Sequence, residues 1–128
     1  MNIVNLTPHT LNFYRNNGSG LVPFTSIPSS GFARAKMEEQ IIEEVEIKPT
    51  FKVDVVKKTF GDAEGVPASQ KDTIYIVSAL TAQAPNLQGR DDIYVVGQTV
   101  RENEETGELS DDSKARGKIV GCTGLAKI

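Results

Sequence analysis

Residues 73–96, TIYIVSALTAQAPNLQGRDDIYVV, carry the strongest structural signal in the chain. Thr73 to Val77 is an unbroken β-branched and aromatic run, which suits a buried pleated surface. Ser78 is a good helix N-cap, Ala79 to Ala84 favour helix, and Pro85 limits that helix to about two turns. Gly89 frees the backbone, and Asp92 to Val96 forms a second apolar strand whose lack of clean alternation fits a central position. The 14 residues from Ser78 to Asp91 are just enough for a strand–helix–strand crossover between parallel strands, and an antiparallel return also fits.

Upstream, Asn2 to Leu6 and Leu11 to Tyr14 read as a β-hairpin around Thr7-Pro8-His9-Thr10. Arg15 to Gly20 is a loop of residues that tolerate positive φ. Val22 to Ile27 is extended, Pro28 to Gly31 turns, and Phe32 to Lys36 is extended again. In Lys36 to Lys48, the spacing of Met37, Ile41 and Val45 fits one helix face, whereas Ile41, Val45 and Ile47 fit one strand face. The strand is favoured, paired as a hairpin with the alternating Phe51, Val53 and Val55. Phe60 to Pro67 reads as irregular. Downstream, Thr99 to Arg101 extends the sheet, residues 102–116 form an acidic exposed loop, and Lys118 to Leu125 is a last strand. The expectation is one α+β domain over residues 1–128, β-rich, with an antiparallel or mixed sheet and one or two short helices.

The chain has 128 residues, 38% hydrophobic with 11 glycines, near the usual make-up of a globular domain. At this length roughly two-thirds of the unfolded surface is buried on folding, so no disulfide or metal is required. Fourteen basic against 17 acidic residues give a net charge of −3, which is no surface for gripping duplex DNA by counterion release. One cysteine cannot form an intrachain disulfide, and one histidine with one cysteine cannot make a structural zinc site. No apolar run of about 18 residues or signal segment is seen, so a soluble protein without membrane, metal or cofactor is expected.

His9, between Thr7 and Thr10, can meet a phosphate or base edge, or the threonines simply cap the turn. Ser78 and the amides after it can hold an anion or serve only as a cap. Arg90 with Asp91 and Asp92 can hold a phosphate through a guanidinium fork, the alternative being a surface salt bridge. As strand neighbours, Asp91 and Asp92 point to opposite faces and make a poor catalytic dyad. Tyr75 and Tyr94 can stack a base or belong to the core. Cys122 between glycine and threonine reads as a buried, inert thiol. FGDAEG lacks the context of a phosphate-binding loop.

The pieces NLTPH, IPSSGFAR, FGDAEGVP, TIYIVSAL, RDDIYVVG and IVGCTGL together resemble a widespread group of small phage and prophage proteins. The likeness covers nearly the whole chain outside Lys36 to Lys58 and the acidic loop. It associates the chain with phage sponge proteins of the anti-CBASS or anti-Thoeris type. The resemblance implies sequestration of a cyclic nucleotide signal in the host bacterial cytoplasm, without catalysis, by a homo-oligomer, a dimer or tetramer, whose ligand sites lie near subunit contacts. Carried over residue by residue, it nominates Thr7, His9, Arg34, Tyr75, Ser78, Arg90, Asp91 and Arg101 as ligand-binding. The charged segment Glu102 to Arg116 has no counterpart in the group and leaves the surroundings of Arg101 open. A phage head or tail accessory protein and a nucleotide-degrading enzyme using His9 or Asp91 and Asp92 are the other classes compatible with the sequence.

Overall fold

The computed structural model describes residues 1–128 apart from Ser113, with Phe60 described through its backbone alone. Among the described residues the strands run in order: β1 (Asn2–Asn5), β2 (Leu11–Asn16), β3 (Leu21–Ile27), β4 (Arg34–Lys48), β5 (Phe51–Glu64), β6 (Thr73–Ile76), β7 (Ile93–Val96), β8 (Thr99–Glu102), β9 (Leu109–Ser110), β10 (Lys118–Cys122) and β11 (Leu125–Lys127). They form a four-stranded sheet β1-β6-β7-β11, a five-stranded sheet β3-β2-β10-β8-β9, and a separate β4–β5 hairpin. In the first sheet β1, β6 and β7 are parallel and β11 is antiparallel to β7. Thus the crossover alternative holds for residues 73–96.

The α+β expectation is corrected: the fold is 53% strand and 5% helical, with no helix of seven or more residues among the described residues. The helix expected over Ala79 to Ala84 is replaced by two 3-10 turns, Thr81–Gln83 and Pro85–Leu87. Pro85 is the cause. A proline drives the residue before it out of the helical region, and Ala84 is extended at φ −60°, ψ 137°. Ser78 still accepts the Thr81 N–H at 3.2 Å, but the segment it starts has no room for a second helical turn.

The hairpin expected around Thr7-Pro8 is also corrected. β1 enters one sheet and β2 the other, because buried Asn5 turns the chain between them. Its amide nitrogen donates to the carbonyls of His9 (2.8 Å) and Ile27 (3.0 Å). Its amide oxygen accepts the Thr7 N–H at 3.0 Å and the Thr7 hydroxyl at 2.6 Å. IPSSGFAR docks onto the same turn: the Ser29 hydroxyl donates to Thr7 O, Ser30 N–H to Asn5 O, and Ala33 N–H to Leu6 O.

Lys36 to Lys48 is strand, as favoured, within the longer β4, and it pairs antiparallel with β5. The irregular reading of Phe60 to Pro67 fails in its first half, since β5 runs to Glu64. There the Asn86 side chain supplies what a neighbouring strand would, accepting Ala63 N–H at 2.7 Å and donating to Ala63 O at 3.1 Å.

The final strand expected over Lys118 to Leu125 is two strands in two sheets, broken at Thr123-Gly124. Thr99 to Arg101 likewise joins the five-stranded sheet and not that of β7. Both changes occur at one crossing, where Gly97 N–H donates to Gly124 O and Thr123 N–H to Gln98 O, each at 2.9 Å. The acidic segment begins as the turn of the β8–β9 hairpin, closed by Asn103 N–H on Glu108 O at 2.9 Å; Ser113 within it lies outside the described residues. The core combines Tyr75 and Val77 with Leu6, Ala33, Ala84, Leu87 and Ile93. Among the described residues no helix is long and apolar enough to cross a membrane.

Candidate functional site

β2 and β10 run parallel and pair only at Phe13 with Cys122. Their close approach depends on Gly121, where a Cβ would fall closer than 3.0 Å to both the Asn12 carbonyl and the Tyr14 ring. Tyr14 therefore lies directly against a bare backbone. Beside it opens a recess of about 590 Å³ lined by His9, Asn12, Tyr14, Glu102, Lys118 and Cys122, among others. Small-molecule sites commonly occupy about 300–1,000 Å³ and combine apolar walls with a few convergent polar groups. Here an aromatic ring, an exposed imidazole and an ammonium share one wall system. Glu102 and Lys118 face each other in register across β8 and β10, so both charge signs are available to a ligand carrying phosphates and exocyclic amines.

The sole histidine and sole cysteine line this same recess. Burial pushes the Cys122 thiol above its ordinary value, outweighing the Gly124 backbone hydrogen bond that acts the other way. The thiol therefore stays protonated at neutral pH, which suits a lining group better than a nucleophile.

Of the nominated residues, only His9 lines the recess. Thr7 sits buried beneath it, its hydroxyl bonded to Asn5 and to the carbonyl of His9. The structure brings Tyr75 and Arg90 together elsewhere: the guanidinium lies 5.7 Å from the ring centroid. Tyr75 is a core residue, 1% exposed, with its hydroxyl directed at Ala68 O. The Arg90 fork is occupied internally, Nε and a terminal nitrogen bonding the two Asp92 oxygens at 2.9 and 2.8 Å. Asp92 is buried and Asp91 exposed, on opposite faces as their spacing requires. Ser78 spends its hydroxyl on Thr81. Exposed Arg34 stacks over Phe32 at 5.1 Å, at the base of the β4–β5 hairpin. Arg101 donates to Gly117 O at 3.2 Å, while its Nε is buried without a partner among the described residues.

Tyr14, Asn12, Glu102 and Lys118 were not nominated. One signal pointed their way: a glycine inside the apolar strand KIVGC marks close approach of another chain segment. Comparison with protein-family models, curated proteins and solved structures returned no match for this chain.

Proposed function

We propose that the chain is a phage anti-defence protein that binds a cyclic nucleotide immune signal, a cyclic dinucleotide such as 3′3′-cGAMP or a cyclic ADP-ribose type. It holds the ligand in the β2–β10 recess and gives it back unchanged, acting in the host bacterial cytoplasm. The observation that carries this reading is the Tyr14 ring seated on Gly121, beside His9 and Lys118, in a recess of small-ligand size. A ring pinned against backbone is a preorganised stacking platform, and a neighbouring ammonium complements a phosphate. The resemblance to phage sponge proteins supports the ligand class. Of the nominated ligand residues His9 stays in the proposal; the stacking and charge roles move to Tyr14 and Lys118.

The enzymatic alternative has one observation in its favour, the shared position of His9 and Cys122. A single experiment separates the two. The protein is incubated with both ligand classes, melting temperature is recorded, and bound material is released by heat for mass spectrometry. Sequestration gives a raised melting temperature and an intact ligand. Tyr14→Ala should weaken binding by about 5- to 150-fold, the equivalent of ~1–3 kcal/mol for a lost stacking contact. No stabilisation by either class at ~100 times a micromolar dissociation constant rejects the proposal, and a linearised product replaces it with an enzyme.

A further inference from the structure

The β4–β5 hairpin is long out of proportion to its anchorage. Fifteen residues at about 3.3 Å each give β4 a span of ~50 Å, yet within it only Ala35 is even half-buried. On β5, Val55 is the sole half-buried residue between Phe51 and Thr59. The base is held by Ala35 and Ala63 against the core; beyond it the two strands have only each other. A two-stranded hairpin alone is marginal in water, and three or more strands with an apolar face are needed for independent stability. This one also exposes large apolar side chains along its length, including Ile41 (61%), Ile42 (56%), Ile47 (59%) and Phe51 (58%). A run of that kind marks an interaction surface.

The charge pattern names the occupant. From Met37 to Ile47, β4 carries five glutamates and no basic residue; from Phe51 to Thr59, β5 carries three lysines and one aspartate. Both outer edges present unpaired backbone groups. Setting β4 against β4 opposes glutamates, and β5 against β5 opposes lysines, both unfavourable across a strand pair. β4 against β5 matches sign, as the hairpin itself does where Lys58 lies 3.7 Å from Glu39. We infer that this hairpin is the arm through which copies of the chain assemble, the acidic β4 of one copy adding to the basic β5 edge of the next.

Such a contact joins two different surfaces, so it is head-to-tail and not two-fold. The assembly therefore holds three or more copies, in place of the dimer that like-to-like pairing would give. The inference stands independently of the ligand assigned to the recess.

The test is light scattering at ~100 µM protein with three kinds of variant. The full chain should run at three or more times its own mass. Replacing residues 39–58 by an Asn-Gly turn, which leaves the register partners Glu38 and Thr59 flanking it, should yield a monomer whose far-ultraviolet spectrum and thermal transition report an intact body. Lys52→Glu/Lys57→Glu/Lys58→Glu should be monomeric alone, as should Glu39→Lys/Glu43→Lys/Glu46→Lys, while an equimolar mixture of the two should associate. A monomeric or dimeric full chain, an arm-shortened variant that still assembles, a charge-reversed variant that assembles alone, or a mixture that stays monomeric would each overturn the inference.

Discussion

The parallel strands of the body and the β4–β5 arm both carry β-branched aliphatic residues and end in opposite environments. All four residues of β6 are buried, whereas β4 buries none of its fifteen. In the body, β6 packs Tyr75 against Leu6, Ala33 and the crossover residues Ala84 and Leu87, and the buried polar side chains of Asn5 and Asp92 are answered by partners. Asn5 uses both amide hydrogens and accepts twice. In the arm, polar and apolar residues alike face water, and the pairing is local. Stability should therefore sit in the body, and the arm should be nearly silent until something covers it.

The largest expected effect follows from Asn5→Ala. The substitution leaves the Ile27 carbonyl and the Thr7 N–H without their partner in a buried turn, while the Thr7 hydroxyl and the His9 carbonyl keep only each other, at 3.1 Å. Each unsatisfied buried group costs about 1–3 kcal/mol; partial repair by water brings the expected loss to about 3–4 kcal/mol, read as a lowered urea midpoint. Shortening the arm, by the same measurement, should cost the monomer less than about 1 kcal/mol. Equal losses from the two changes would erase the contrast between body and arm.

A smaller effect, tied to the recess, is expected from Gly121→Ala. The added Cβ meets the Asn12 carbonyl and the Tyr14 ring, and overpacking of this kind costs about 1–3 kcal/mol. Tyr14 must move, so its ring resonances in NMR spectra should shift and ligand affinity should fall with them. Gly124→Ala is the control: a Cβ there meets nothing within 4 Å, and a change within about 0.5 kcal/mol is expected. Equal tolerance of both substitutions would show that Tyr14 does not need the bare backbone, and would remove the preorganised platform on which the proposed function rests.

What the sequence made legible divides along the same line. Strands β6 and β7, the strand character of Lys36 to Lys48 and its hairpin partner are set by local composition and alternation, and they were read correctly. The errors lie where a distant residue decides. Asn5 sends β1 and β2 into different sheets through bonds reaching Ile27, and Asn86 holds the end of β5 from 23 residues away. The missing helix is a local matter, since Pro85 acts on Ala84: with so few residues before it, the proline forbids the helix and does not merely end it. The recess was legible only through His9 and the glycine in IVGC, because Tyr14 and Lys118 are brought together by strands from opposite ends of the chain. Arg90 shows the reverse: its salt bridge to a residue two positions away was visible in RDD as the alternative to a phosphate fork.

That ion pair gives the smallest and most diagnostic expectation, because the arm contains its counterpart. Arg90 and Asp92 are 20% and 9% exposed, whereas Lys36 and Glu64, at 2.9 Å, are 62% and 65% exposed. The hydrogen bond from Arg90 holds the Asp92 carboxyl below its ordinary value, against the opposing pull of burial, with Ser69 adding to the lowering. A carboxylate whose folded pKa is depressed contributes stability that is fully present above the unfolded value of about 3.9 and is lost as pH falls through the folded one. Stability of the full chain should therefore be level from neutrality to about pH 5 and decline below it. Asp92→Asn keeps the shape but removes the charge; it should cost about 1–2 kcal/mol at pH 7 and flatten that decline. Glu64→Gln should do neither, since an exposed pair is worth little and is screened by salt. Urea midpoints from pH 3 to 7 for the three proteins decide it: an acid decline unchanged by Asp92→Asn, or matched in size by Glu64→Gln, would mean that burial does not set the worth of an ion pair in this fold.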